Sequence, residues 1–468
     1  MTPDANDLCV FAVKRGNIST RFDVRNMRYS AFSVTLKQEK VTLGSLTLEE
    51  PCYGTSATAV VRTDESQPKY IRITDFDDYG IAPNHQYMTA ESYSGKHFLK
   101  DGDVLFARSG ATVGKTYYYD GRIGSAVFAG YCIRFRFDDS KVLPKFAYWC
   151  TKTNAYLEWI KGIQRPSGQP NINKEEFKSY QIVLPGKEKQ LALAAKMNIA
   201  ELKRTQSIEN ANETIVAARK HLFERLGIAF PDYRPSLFSS ARLGTIKEIG
   251  LYCNPHSAYL TEVFSNLHDS PFYSGSLDDF VDINPTINRS QLNDSSVASF
   301  VPMPAVSEKT NQVIYEQKQY RDVKTGFTPF QRGDLLWAKI TPCMQNGKSF
   351  LSDTMPTEYG FGSTEFHVLR PKSDKIYMPF LWVLLSDEHI LEAAQGMFSG
   401  SAGQQRVPDT FLKKLPVVLP PLDVQKELAD EVFSAMEQAK HATKAAEREW
   451  IESKAQFERE LLGEEYSQ

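Results

Sequence analysis

The 468-residue sequence has no apolar run long enough to cross a bilayer, and its opening, MTPDANDLCV, has no basic segment leading into an apolar one. The expectation is a cytoplasmic chain with no membrane partner. It also lacks charge of one sign: 55 Lys and Arg face 57 Asp and Glu, a formal net charge of −2. No general field draws it to polyanions, so any such contact must come from local patches. Cysteine is sparse. Cys9, Cys52, Cys132, Cys150, Cys253 and Cys343 lie far apart, with no CxxC and no neighbouring histidine pair. This argues against a zinc site and a disulfide framework, and predicts reduced, mostly buried thiols with no metal bound.

The motifs of common enzymes are missing too. The eight histidines form no HExxH, and there is no Gly-x-Ser-x-Gly elbow. FARSGATVGKTYYY (106–119) resembles a phosphate-binding loop through Gly110, Gly114, Lys115 and Thr116, but it has one residue too few between the glycines. It also runs into strand-forming residues where a P-loop opens a helix. CNPHS (253–257) lacks the second proline and the aromatic of an adenine methyltransferase motif, and FSGSAG (398–403) sits where the first half has RPSGQP, which makes it a repeat feature rather than a cofactor site. Asp103 and Asp334 each follow a glycine at a turn, where aspartate bonds local backbone. No catalytic residue is expected.

What the sequence does contain is itself, twice. KDGDVLFARSG (100–110) recurs as QRGDLLWAKIT (331–341), an offset of 231 between Gly102 and Gly333. IRFRF (133–137) matches HVLRP (367–371), FAYW (146–149) matches FLWV (380–383), and IVLP (182–185) matches VVLP (417–420), at offsets of 234 or 235. Gly114-Lys115-Thr116 corresponds to Gly347-Lys348-Ser349, behind the longer loop ITPCMQN, which fits no P-loop. The Gly-Lys pair is therefore read as a turn into a strand.

Each half ends in a stretch free of Gly and Pro, Lys187 to Leu226 after LPGKEKQ and Leu422 to Leu462 after LPPLDVQ. Each reads as one helix of about 40 residues, on the order of 60 Å long. In the second, Leu428, Val432, Ala435, Ala439, Ala442, Ala446, Trp450 and Phe457 mark a coiled-coil seam. The first carries a weaker stripe of Leu193, Met197, Ala200, Ile208, Ala211, Ile215, Ala218 and Leu222, interrupted at Arg204. Helices so long and so polar need partners, and each is the other's natural one. The globular parts alternate short strands (KYIRITDF, DVLFARS, KTYYYD, YCIRFRF) with a few helices, such as KFAYWCTKTNAYLEWIKG (145–162).

The fold class is α+β: two β-rich domains alternating with two long helices that pair as a coiled coil. The expected boundaries are an N-terminal tail (1–20), a first domain (21–185), a first helix (186–227), a linker (228–250), a second domain (251–420), a second helix (421–463) and a C-terminal tail (464–468).

Polar, donor-rich loops cluster twice in each half. In the first they supply Arg108, Ser109 and Lys115, then Arg165, Ser167, Gln169 and Asn171; in the second, Lys339, Thr341, Gln345, Asn346 and Lys348, then Ser399, Ser401, Gln404, Gln405 and Arg406. Arg, Lys, Gln and Asn read base edges in the major groove, while Ser, Thr and backbone N–H groups suit phosphates. The same residue types also make ordinary solvated turns. A coiled-coil scaffold with β-rich ligand-binding domains and a stand-alone DNA-modifying enzyme are the alternatives; the first lacks salt-dependent DNA affinity, and the second turns over without partners.

The strand-loop-strand motifs GDVLFARSGATVGK and GDLLWAKITPCMQNGK, with the lead-ins QPNINKEEFKSYQIVLPGKEKQ and QQRVPDTFLKKLPVVLPPLDVQ and the helix after each, resemble the DNA specificity (S) subunit of type I restriction-modification systems. The resemblance runs from about Arg21 to Gly463. It implies that the two domains are target-recognition domains, each reading one half of a split site on double-stranded DNA, with the two helices paired as an antiparallel coiled coil that serves as spacer. It further implies two methyltransferase (M) subunits carrying S-adenosylmethionine and adenine-N6 chemistry, and restriction/translocase (R) subunits using ATP and Mg, with no cofactor in this chain. Because the loops of the halves differ, the site is expected to be asymmetric.

The repeat predicts the behaviour of a fragment. A chain ending near residue 234 would keep one domain and one helix whose apolar stripe has lost its cover, and a second copy can supply it. It is expected to dimerise and, with methyltransferase subunits, to direct methylation to a palindrome of the first half-site. Light scattering and methylome sequencing check this, a folded monomer or a retained second half-site being the contrary results.

Overall fold

The computed structural model describes residues 40–81, 85–164, 170–231, 256–401 and 404–463. Both expected tails, most of the linker, Cys9, Cys253 and the candidate residues Arg165, Ser167 and Gln169 lie outside this set. The chain forms two compact units, one of residues up to Gln206 together with those from Lys444 onward, the other Ser207–Thr443.

In the first unit the strands are β1 (Lys40–Thr42), β2 (Cys52–Tyr53), β3 (Ala59–Val61), β4 (Lys69–Ile71), β5 (Met88–Ala90), β6 (Asp103–Ala107), β7 (Thr116–Tyr118), β8 (Ala126–Phe128) and β9 (Cys132–Arg136). Helices α1 (Pro144–Cys150), α2 (Asn154–Ile163) and α3 (Lys174–Ser179) follow, then β10 (Gln181–Val183) and the start of the long α4 (Lys187–Arg225), whose residues from Ser207 on belong to the second unit. The central sheet has the order β2-β9-β6-β7, and β1 pairs with β10.

The second unit contains α5 (Ser257–His268), β11 (Tyr273–Ser276), β12 (Val281–Ile283), β13 (Val297–Val301), β14 (Glu316–Gln319), α6 (Tyr320–Val323), β15 (Thr328–Gln331), β16 (Leu335–Ala338), β17 (Ser349–Leu351), β18 (Tyr359–Gly362) and β19 (Phe366–Pro371). It ends with α7 (Met378–Leu385), α8 (Glu388–Ala394), α9 (Asp409–Lys414), β20 (Pro416–Val418) and the first part of the long α10 (Leu422–Leu462), whose residues from Lys444 on belong to the first unit. Its sheets β12-β19-β16-β17 and β11-β20 reproduce two sheets of the first unit, and a further sheet has the order β14-β13-β18-β15.

The repeated strands carry a repeated polar clamp. Asp103 lies opposite Arg136 across β6 and β9 and accepts a two-pronged bond from it at 2.7 and 2.8 Å. Asp334 does the same with Arg370 at 2.8 and 2.7 Å. Each also caps its own turn as expected, accepting from the backbone N–H of Lys100 or Gln331. Neither aspartate is exposed to water, and burial raises the pKa of Asp334 against the opposing pull of Arg370.

A second clamp joins each domain to its helix. Buried Gln190 accepts from the Leu143 N–H at 2.9 Å and donates to the Pro185 carbonyl at 2.8 Å. Buried Gln425 accepts from the Tyr377 N–H at 2.9 Å and donates to the carbonyls of Pro420 at 2.9 Å and Lys375 at 3.0 Å. Each Gln thus ties the first turn of a long helix to the residues just before it and to the lead-in of α1 or α7.

The long helices pair antiparallel, as predicted. In the first unit the ion pairs Lys196–Glu460, Lys203–Glu449 and Arg204–Glu447 ascend α4 while descending α10; in the second unit His221–Glu431 and Arg225–Glu427 do the same. The seam enters the domain cores. Leu193, Ala194 and Met197 join Phe146, Trp149, Trp450, Phe457 and Leu461 in one core; Leu222, Phe223 and Leu226 join Trp382, Leu428, Ala429 and Val432 in the other. Of the predicted seam, Ala442 is exposed, because the stripe drifts around the helix there. Arg204, read as an interruption, bonds Glu447 through Nε at 2.9 Å and lies 3.6 Å over the Tyr79 ring.

One further expectation is corrected. The single helix read over 145–162 is two, because the Thr153 side chain accepts from the Tyr156 N–H and starts α2 as a separate helix. Asp387 caps α8 in the same way.

Removing one partner from a buried clamp strands the other. Asp334→Ala is expected to cost about 3–5 kcal/mol, and Asp334→Leu with Arg370→Met to recover most of it, as read by denaturant midpoints.

Candidate nucleic-acid interface

Strands β6 and β16 are buried along their whole length, and the basic residue after each, Arg108 or Lys339, emerges half-buried. Its backbone is fixed on both sides. The Arg108 N–H donates to the Tyr131 carbonyl at 2.9 Å, and the Arg108 carbonyl accepts from the Ile172 N–H at 2.8 Å. In the second half the Lys339 N–H donates to the Glu365 carbonyl at 2.9 Å, and the Lys339 carbonyl accepts from the Val407 N–H at 2.9 Å. Ser109 bridges Asn171, and Ile340 bridges Arg406. Three segments therefore meet at one junction in each half: the end of the basic strand, the lead-in to α3 or α9, and the turn before β9 or β19. The sequence nominated the first two and missed the third, occupied by Tyr131 and Glu365. Their spacing of 234 was a usable signal, but the residue types differ, so nothing in the letters marked them.

In the first half the Arg108 guanidinium lies 4.8 Å over the Tyr53 ring. Its buried Nε has no hydrogen-bond partner among the described residues. Tyr131 is 62% exposed, and Asn171 is exposed beside it in the junction. Ser109 is buried. Lys115 pairs with Asp78 at 3.7 Å, beyond a single turn of 3-10 helix over Gly110–Thr112. Gly114 has φ +86°, and a Cβ there would come within 2.8 Å of Ile160. Gly347 has φ +67° and is crowded by Lys309. Both glycines are thus required by backbone and packing, with no phosphate in the account.

In the second half Arg406 donates Nε and one terminal nitrogen to the two carboxylate oxygens of Glu365, at 2.8 and 2.7 Å. The guanidinium holds the Glu365 carboxyl below the usual range. The Arg406 backbone exchanges both bonds with Ser399, at 2.9 and 3.0 Å. The Thr341 hydroxyl accepts from the Gln405 N–H at 3.1 Å, and the Gln405 carbonyl accepts from the Thr341 N–H at 2.9 Å. Gln345 is exposed and donates to Gln395 at 2.8 Å, which donates on to Glu392 at 2.6 Å. Asn346 and Lys348 turn to another segment, bonding Glu308 and the Met303 carbonyl. Ser399, Ser401 and Gln404 are exposed. The structure thus brings Arg108, Ser109 and Asn171 together in one junction and Lys339, Thr341, Ser399, Gln405 and Arg406 in the other, while the contacts of Lys115, Asn346 and Lys348 lead elsewhere.

The model of the type I restriction modification DNA specificity domain matches residues 55–216 and again 270–452, once for each half. The chain belongs to this family. The specificity subunits of the type I restriction enzymes EcoAI and EcoEI of Escherichia coli are 39% identical over 148 residues and 36% identical over 146. Each alignment takes in 31% of this chain and 25% or 24% of the relative, so the chain spans about a quarter of those relatives. A solved chain from a study of the assembly and conformational transition of the type I R-M system is 15% identical. It aligns over 91% of this chain and 97% of its own length, with a TM-score of 0.48. Among the described residues no helix is long and apolar enough to cross a membrane. The four described cysteines are free thiols, Cys132 and Cys150 buried, Cys52 and Cys343 half-buried.

If the junctions read DNA, Arg108→Ala is expected to weaken recognition of one half-site and Lys339→Ala of the other, each by about 1–3 kcal/mol. Competition binding with duplexes altered in one half-site at a time measures both; equal losses at both half-sites would mean that the basic residues contact only phosphate.

Proposed function

We propose that this chain is the sequence-reading, non-catalytic subunit of a type I restriction-modification assembly. One observation carries the reading: a single junction built twice with different side chains, Arg108, Tyr131 and Asn171 in one half, Lys339, Glu365 and Arg406 in the other. A duplicated frame with divergent donors suits two unlike half-sites, hence an asymmetric split site on double-stranded DNA, with the paired helices as spacer. Two methyltransferase subunits dock on the frame and bring S-adenosylmethionine and adenine-N6 transfer; restriction subunits bring ATP- and Mg-dependent translocation and cleavage. Leu191, Ile199 and Leu202, exposed along α4, offer apolar surface for such docking. The balanced charge suits a cytoplasmic subunit that shares the phosphate backbone with its partners.

Co-expression with methyltransferase subunits, followed by methylome sequencing, is expected to give adenine methylation at one split, asymmetric motif that disappears when this chain is omitted. The purified chain alone is expected to transfer no methyl group and hydrolyse no ATP. Methyl transfer by the chain alone, or a motif independent of it, would overturn the proposal.

A further inference from the structure

The Glu365–Arg406 pair has a feature that its twin position lacks. Glu365 is 234 residues after Tyr131 and Arg406 is 235 after Asn171, so the same two places in the first half carry an uncharged tyrosine and asparagine. Both junctions keep the same backbone bonds. The fold therefore does not need an ion pair here, and its presence in one half calls for another reason.

The geometry gives one. Both Glu365 oxygens accept from Arg406, and the carboxylate side chain is 22% exposed against 41% for the guanidinium. Glu365 thus faces its arginine, and the arginine faces outward. Arg406 spends Nε and one N–H of a terminal nitrogen on Glu365, and the other terminal nitrogen donates to the Gln404 carbonyl at 3.1 Å. One further N–H remains on each terminal nitrogen, a pair able to meet guanine O6 and N7 end-on. The Arg406 backbone is held by its exchange with Ser399, so backbone and side chain are both fixed before any ligand arrives, lowering the ordering cost of contact.

We propose that Arg406 reads a guanine in the second half-site and that Glu365 is its positioning residue, holding the guanidinium edge-out. This rests on the DNA-reading function proposed above. Glu365 itself touches no base, and the first half, with Tyr131 and Asn171, reads its half-site by other chemistry.

The test uses the full chain co-expressed with its methyltransferase subunits, with the methylated motif read by sequencing and duplex affinity by competition. The wild-type motif is expected to contain a G·C pair in the second half-site. Arg406→Lys, which keeps the charge but loses the fork, and Glu365→Gln, which keeps the shape but loses the charge, are each expected to relax that one position by roughly 5- to 150-fold, the first half-site unchanged. The swap Glu365→Arg with Arg406→Glu separates reading from support: a merely structural pair would restore the wild-type motif, whereas a guanine reader leaves that position lost although the thermal midpoint recovers. A second half-site without a G·C pair, an unchanged motif in both single variants, or a swap that restores the motif would each overturn the inference. Wild-type protein that directs no motif at all would instead refute the function on which it rests.

Discussion

Trp450, Phe457 and Leu461, near the end of α10, pack into the same core as Phe146 and Trp149 of α1, and the rest of the structure depends on that sharing. Neither long helix has a continuous apolar face broad enough to hold it alone, and neither β-rich domain closes its core without side chains from both helices. In the second unit Leu222, Phe223 and Leu226 of α4 play the reciprocal part beside Leu428 and Val432. The hydrophobic effect thus acts on helix pairing and domain closure together, so one cannot be weakened without the other.

Around this shared core the two halves repeat what must be rigid and vary what need not be. Asp103–Arg136 and Asp334–Arg370 clamp equivalent strands, and Gln190 and Gln425 tie equivalent helix starts, with nearly the same distances in both halves. The aspartates and glutamines are buried and the two arginines half-buried, and every one of them sits in a bonded network, as the low dielectric of the interior demands. The junctions reverse the pattern: their backbone bonds are the same, while the side chains that project from them differ in charge, size and partner. Constancy in the backbone lets the loops diverge without disturbing the frame.

The sequence made the frame legible because the frame is built from what sequences display well: a repeat offset, an apolar stripe, a break-free helix, a Gly-Asp turn. Lys187–Arg225 and Leu422–Leu462 fall within two residues of the spans read from the absence of Gly and Pro. What it hid was tertiary. Gln190 and Gln425 stood in quoted motifs, yet their role depends on carbonyls and N–H groups that only folding brings near. Arg136 and Arg370 were aligned by the offset, but their aspartate partners lie on another strand. Tyr131 and Glu365 joined the candidate site through backbone carbonyls, which carry no letter. Lys115 and Lys348 stood in donor-rich loops, and only the fold brings Asp78 beside the one and the Met303 carbonyl beside the other.

A core that borrows from the last helix also imposes an order on synthesis. The strands of the first unit and the helix bearing Trp149 leave the ribosome some three hundred residues before Trp450 does, and domains generally fold as units in the order they emerge. During that interval the surface awaiting Trp450, Phe457 and Leu461 is open. The first domain therefore completes its core only after Trp450, Phe457 and Leu461 have been synthesised.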